Sequence, residues 1–147
     1  NKLILSSVSM LKLVNKKVLI TTKINKRNNI ILKADPNLIN QAFNNLAQNA
    51  LNSINEKNSI INNYTGEIII SLASEKNFCR LTMRDNGIGL PMNKEFLTEP
   101  YISRSKNGSG IGLAVVKKIM QDHNGNIELE NNKDNKGAKV SLLFPIN

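Results

Sequence analysis

Tryptophan is absent, and four Phe and two Tyr make up the whole aromatic complement. With so few flat side chains there is no platform on which successive bases stack. The formal net charge of +9 therefore does not point to a nucleic-acid partner, and none is expected. The basic residues are scattered, with short pairs only at Lys16-Lys17 and Lys117-Lys118. Cysteine occurs once, at Cys79, which rules out an internal disulfide and fits a reducing compartment. No apolar run reaches the ~18 residues of a spanning helix. The start, Asn1 to Leu5, lacks the apolar stretch and small-residue cleavage site of a signal peptide. An initiator Met is also missing, so the chain is expected to be an excised piece of a longer protein, with room for a membrane anchor in the remainder.

What is present is enough for one domain with a real core: 147 residues, 40% of them hydrophobic. Ser6 to Val14 has helical apolar spacing, and Val18 to Ile24 and Ile30 to Lys33 read as strands around the polar turn Asn25 to Asn29. Asp35 then offers an N-cap, with Pro36 at the first helical position. Leu38, Ile39, Ala42, Phe43, Leu46, Ala50 and Ile54 form the buried stripe of that helix. Asn58 to Gly66 is turn-like, and Glu67 to Ala73 with Phe78 to Arg84 suggests a hairpin. Asn86 to Gly110 lacks periodicity, and so long an irregular stretch in a compact domain is usually functional. Ile111 to Asp122 is helical, and Asn126 to Glu130 and Ala138 to Phe144 form a last strand pair. The order predicts an α/β two-layer sandwich, a mixed β-sheet with helices packed on one face.

Three motifs carry chemistry. Asn45-Leu46-Ala47-Gln48-Asn49-Ala50 places Asn45 and Asn49 on one helix face, along with Asn52 and Ser53. Carboxamide oxygens are hard ligands suited to Mg2+ that keeps phosphate oxygens and waters; a solvated face in an Asn-rich chain is the plainer alternative. Asp85-Asn86-Gly87-Ile88-Gly89 ends a strand. Its carboxylate suits the exocyclic amine of adenine and its glycines a close backbone approach; an ordinary turn is the alternative. Gly108-Ser109-Gly110-Ile111-Gly112-Leu113 opens a helix with no acid in its first turn, which suits phosphate oxygens. Its spacing is neither the dinucleotide fingerprint nor a P-loop.

In this order the motifs resemble the catalytic ATP-binding domain of sensor histidine kinases, in the superfamily that includes gyrase-type ATPases and MutL. The resemblance spans roughly Asp35 to Pro145. Asn45 to Ala50 looks like the N box, Asp85 to Gly89 the first glycine box and Gly108 to Leu113 the second. His123-Asn124-Gly125 and Gly137 look like the closing pattern. Glu99-Pro100-Tyr101-Ile102-Ser103 is most similar to nitrogen-regulation kinases of the NtrY and NtrB kind.

The resemblance implies that Asn49 holds Mg2+, that Asn45 supports the metal or phosphates, and that Asp85 binds the adenine amine. Asn52, Ser53 and Ile88 join the ATP site, and Gly87 and Gly89 pass behind the base. Gly108, Ser109, Gly110, Ile111, Gly112 and Leu113 let a lid, Asn86 to Ser109, fold over the phosphates and order on nucleotide. Relatives with general-base chemistry carry Glu where Asn45 stands; an amide cannot take that proton, which favours transfer to a histidine over hydrolysis. The expected activity is transfer of the γ-phosphate of Mg-ATP to a His on an upstream dimerisation hairpin, then to a response-regulator receiver Asp. The full-length protein is expected to be a homodimer anchored in the bacterial inner membrane, with this part cytoplasmic and monomeric alone.

The pattern departs from the family at Ser105, where many relatives have Lys or Arg; Arg104 and Lys106 flank it as candidates for the γ-phosphate cation. Ala138 stands where Thr is frequent, which implies modestly weaker ATP binding. The phosphoacceptor box is absent and His123 reads as structural, so the chain alone is not expected to autophosphorylate. Two other readings stay open: a superfamily ATPase or serine kinase, and a degenerate, non-catalytic interaction module.

Overall fold

Asp35 and Pro36 start the longest helix as their chemistry dictates: the Asp35 carboxylate accepts the amides of Asn37 at 2.8 Å and Leu38 at 3.4 Å. In the computed structural model, which describes residues 1–25, 30–92, 94–101, 110–134 and 136–146, that helix is α2, Pro36–Ile60. It follows α1 (Lys2–Val14) and β1 (Val18–Ile24) and precedes β2 (Gly66–Glu75) and β3 (Phe78–Asp85). A 3-10 turn at Lys94–Thr98, α3 (Gly112–Asp122), β4 (Asn126–Asn131) and β5 (Ala138–Pro145) complete the chain.

The strands form one mixed sheet in the order β1-β2-β3-β5-β4. Only β1 and β2 run parallel, and α2 lies in the crossover between them, as a parallel pair requires. The remaining pairs are antiparallel. Ile20, Ile68, Ile70, Leu72, Cys79, Leu81, Met83, Leu142 and Phe144 bury one sheet face against Phe43, Leu46 and Ile54 of α2 and Val116, Ile119 and Met120 of α3. Along β3 the inward side chains are Cys79, Leu81 and Met83, and the alternation makes Asp85 the next inward position. This places a carboxylate at the edge of the core. The opposite sheet face carries polar pairs alongside apolar residues such as Leu143: Thr82 and Ser141 share a 3.0 Å hydrogen bond, Arg80 pairs with Glu75 and Glu128, and Lys139 pairs with Glu130.

The two-layer α/β architecture follows the sequence expectation, with three local differences. Ile30 to Lys33 has no regular structure, so among the described residues the sheet has five strands rather than six. Ile30 and Leu32 lean on the core while Ile31 is exposed, which gives the strand-like alternation without a strand neighbour. Helix α1 begins at Lys2 rather than Ser6, because Ile4 and Val8 share its buried side. Helix α2 runs on to Ile60, through residues that composition alone assigns to a turn.

Candidate functional site

Helix α2 supplies the spine of the site. Asn45, Asn49, Ser53 and Lys57 recur every four residues and form one ridge, about three helical turns long. The N-terminal half of the ridge presents Asn45, half-buried, and Asn49, exposed. Neither carboxamide has a partner among the described residues. The start of α3 lies beside them: a Cβ added to Gly112 would sit 3.7 Å from Asn45 Oδ1 and 3.9 Å from Asn49 Oδ1. Helix α3 has no side-chain cap hydrogen bond and no acid in its own first turn to offset its positive end. The first and third sequence motifs therefore meet.

The second motif meets the other half of the ridge. Asp85, 7% exposed, accepts on Oδ1 from Gly87 N at 2.8 Å, Ala138 N at 3.3 Å and Ser53 Oγ at 3.3 Å. Among the described residues no donor reaches Oδ2, so one carboxylate oxygen keeps its accepting capacity. Burial pushes the Asp85 carboxyl above its ordinary value, and the Gly87 and Ala138 amides, the Ser53 hydroxyl and the Lys57 charge pull the other way. Gly87 packs on α2 so closely that a Cβ would fall 2.5 Å from the Ser53 carbonyl carbon. The Ile88 amide donates to Ser53 Oγ at 3.1 Å and to Ser53 O at 3.3 Å.

Several supporting residues escaped the sequence reading. Lys57 Nζ donates to the carbonyls of Asn86 at 2.8 Å and Gly87 at 3.1 Å; extending the four-residue spacing of Asn45, Asn49 and Ser53 by one step leads to it. Asn131 exchanges two hydrogen bonds with the backbone of Leu90, at 2.7 and 3.1 Å. Buried Asn132 donates to Asp85 O at 2.8 Å and accepts from Arg84 Nε at 3.0 Å. Beside it Gly137 has φ +83, and a Cβ there would lie 2.1 Å from Asp85 O. Asn-rich composition hides such residues, because abundance makes each one uninformative.

Not every predicted position joins the cluster. Asn52 lies on the neighbouring ridge and accepts from Gln48 Nε2 at 2.9 Å. Gly89 has φ +80 beside Asn131, and Leu113 packs partly into the core. Ile111 precedes α3, and Gly110 accepts the Tyr101 amide at 3.0 Å. Arg104, Lys106, Gly108 and Ser109, with Ser103 and Ser105, lie outside the described residues. The described part of the irregular stretch is not featureless, since 86–90 is tied to α2 and to Asn131, and Lys94–Thr98 forms a 3-10 turn. The Ala138 side chain has no hydroxyl, yet its backbone amide binds Asp85. His123 accepts the Asp35 amide on Nε2 at 3.2 Å, while Nδ1 meets Ile119 O at 2.7 Å. Nε2 thus joins the start of α2 to the end of α3, while Nδ1 ties the ring to α3 itself.

Residues 34–147 match the family described as histidine kinase-, DNA gyrase B-, and HSP90-like ATPase. The chain belongs to this family. It is 34% identical over 111 residues to nitrogen regulation protein NtrY of Azorhizobium caulinodans, covering 75% of the chain and 14% of that protein. It is 33% identical over 115 residues to a putative NtrY-like sensor histidine kinase of Rickettsia conorii, covering 76% and 18%. The chain thus spans less than a fifth of the length of these relatives. The fold is shared with the mycobacterial sensor histidine kinase MprB, at TM-score 0.81 and 19% identity over 98% of the chain and 93% of that structure. It is also shared with the catalytic domain of histidine kinase ThkA, at TM-score 0.77 and 21% identity over 97% and 93%. The chain therefore shares the fold of histidine kinase catalytic domains.

Proposed function

We propose that residues 1–147 form a single catalytic domain that binds Mg-ATP and supplies it for phosphoryl transfer to a histidine elsewhere in a two-component sensor kinase, and thence to a receiver-domain Asp. One observation carries this reading: a single α2 ridge presents two carboxamides, without a partner among the described residues, beside the start of α3 and, further along, holds the buried Asp85 carboxylate. The two ends suit the two ends of a nucleotide. Oδ2 of Asp85 accepts the adenine amine, and the α3 amides and the Asn45–Asn49 pair face the phosphates.

The donor set also fits Mg2+. Two neutral oxygens add no charge to a site that must admit a polyanion, and no group of three or more His, Cys, Asp or Glu residues suited to a metal occurs among the described residues. Asn49, with Asn45 in support, would hold the ion against the phosphates, and the bound ion supplies neutralisation of charge on the transferring group. The chain's own part is positioning and electrostatics. Asn45 accepts no proton, so this position offers no base for activating water, and a neutral imidazole needs none. This supports kinase chemistry over hydrolysis. Among the described residues no helix is long and apolar enough to cross a membrane. A cytoplasmic position in an inner-membrane homodimer is part of the proposal, by analogy with the sensor kinases it resembles.

The test is a calorimetric titration of ATP, with and without Mg2+, on the chain and on Asp85→Asn. Saturable binding that strengthens with Mg2+ and is lost in the variant is the expected result. Absence of binding in both overturns the proposal and favours an interaction module.

A further inference from the structure

Two consecutive peptide units of the Asp85 turn are gripped at their oxygens. Asn86 O accepts from Lys57 Nζ at 2.8 Å and from the Tyr64 hydroxyl, and Gly87 O accepts from Lys57 Nζ at 3.1 Å. Lys57 and Tyr64 are themselves in register, with the ammonium 4.8 Å from the ring centroid. On its other side Asn86 is held by its carboxamide, which accepts from Glu67 N at 2.8 Å and donates to Thr65 O at 3.0 Å.

A peptide unit is planar and trans, so its C=O and N–H point in opposite directions. Fixing the Asn86 oxygen therefore fixes the Gly87 N–H, which is the 2.8 Å donor to Asp85 Oδ1. Fixing the Gly87 oxygen likewise fixes the Ile88 N–H on Ser53 Oγ, whose own proton goes to Asp85 Oδ1. Were the first peptide to flip, a carbonyl would face the carboxylate instead of a donor. Neither Lys57 nor Tyr64 hydrogen-bonds to Asp85; they act on the peptide units that carry its donors.

We propose that Lys57 and Tyr64 form a positioning clamp that sets the purine selectivity of Asp85. With Oδ1 saturated from the protein side, Oδ2 is held as a fixed acceptor that welcomes an exocyclic amine and repels a purine carbonyl. Releasing the clamp frees the carboxylate to turn, so the advantage of the amine falls while phosphate contacts at Asn45, Asn49 and α3 persist. The inference rests on the nucleotide-binding reading above and names what tunes its base specificity.

The experiment titrates ADP and purine-riboside diphosphate, the same ligand without the amine, against the chain and against Lys57→Met, Lys57→Arg and Tyr64→Phe. The wild-type chain is expected to prefer ADP by about tenfold or more, the equivalent of one hydrogen bond. Lys57→Met brings that ratio to about twofold or less, mainly through ADP; Tyr64→Phe lowers it about threefold; and Lys57→Arg, which keeps two donors, restores it. A residue of merely structural importance weakens both ligands equally, and an unchanged ratio in Lys57→Met overturns the clamp. Should Lys57→Met not fold, the near-isosteric Tyr64→Phe decides alone, an unchanged ratio again overturning it. A wild-type chain that binds neither diphosphate overturns the nucleotide reading itself, and one that binds both equally overturns adenine reading by Asp85, so the failures are distinguishable.

Discussion

The Ser53 hydroxyl donates to Asp85 Oδ1 at 3.3 Å while accepting the Ile88 amide at 3.1 Å, so one small side chain on α2 stitches the carboxylate to the turn that follows it. Ser53→Ala removes both bonds but leaves the Ile88 amide its second acceptor, Ser53 O at 3.3 Å. The expected cost is about 1 kcal/mol in urea unfolding, the net value of one such interaction. ATP affinity is expected to fall about threefold, because Asp85 keeps its two backbone donors. An unchanged unfolding midpoint would show that the hydroxyl contributes nothing to the turn.

At the other half of the ridge stability and function should separate. Asn45 and Asn49 have no side-chain partner among the described residues and sit on a helix face, where Ala is the better helix former. Asn45→Ala and Asn49→Ala are therefore expected to unfold within about 0.5 kcal/mol of the parent chain, or slightly above it. Mg-ATP affinity in the same variants is expected to drop about tenfold or more, which calorimetry reads directly. Loss of folding stability in step with loss of binding would instead make these amides structural.

The division between what the sequence disclosed and what it hid has a physical basis. Helix α2, the β2–β3 hairpin and the last strand pair announce themselves through periodicity and capping, because burial of one face is a local pattern. Asn45, Asn49, Asp85 and Gly112 stand out by spacing, since the proposed nucleotide site would impose residue types at fixed intervals. Ile30 to Lys33 misled because alternating burial does not require a hydrogen-bonded neighbour. Lys57, Tyr64, Asn131 and Asn132 stayed hidden because their roles arise only when distant segments meet, as when Asn132 donates to the carbonyl of Asp85, 47 residues away.

The same geometry ranks two glycines. At Gly137 a left-handed φ of +83 coincides with a Cβ position 2.1 Å from Asp85 O, so Gly137→Ala must move backbone that positions the carboxylate. About 2–4 kcal/mol of destabilisation is expected from strain and overpacking together. At Gly112 a Cβ meets only ordinary contacts, at 3.7 and 3.9 Å from the Asn45 and Asn49 oxygens. Gly112→Ala is expected to leave stability within about 0.5 kcal/mol. Urea unfolding of the two variants side by side checks the ranking, and equal costs would contradict it.

His123 accepts on Nε2 from the Asp35 amide, so its proton resides on Nδ1 and is donated to Ile119 O. A ring committed at both nitrogens is a strut. His123→Ala is expected to lower stability by about 1–2 kcal/mol through the two lost bonds, and to leave Mg-ATP affinity within about twofold. Phosphate recovered on His123 after incubation of the chain with Mg-ATP would overturn this structural assignment.

Under the proposed function, Asp85 is where nucleotide binding works against stability. Burial raises its folded-state pKa above the ordinary 3.8. The folded protein thus holds this proton more tightly than the unfolded chain does. Its contribution to stability is fully present below the unfolded value and is lost as pH rises through the elevated folded value. Above that window the ionised carboxylate carries a constant penalty, which Asp85→Asn removes while its carbonyl still accepts from Gly87, Ala138 and Ser53. The variant is therefore expected to unfold at higher urea than the parent at pH 7, with the two midpoints converging towards about pH 3, where both side chains are neutral. Nucleotide affinity moves the opposite way, because the amide presents a donor where the adenine amine needs an acceptor. Urea titrations at the two pH values, paired with calorimetry at pH 7, test both halves. A variant less stable at pH 7 would mean that the three donors outweigh the cost of burying the charge.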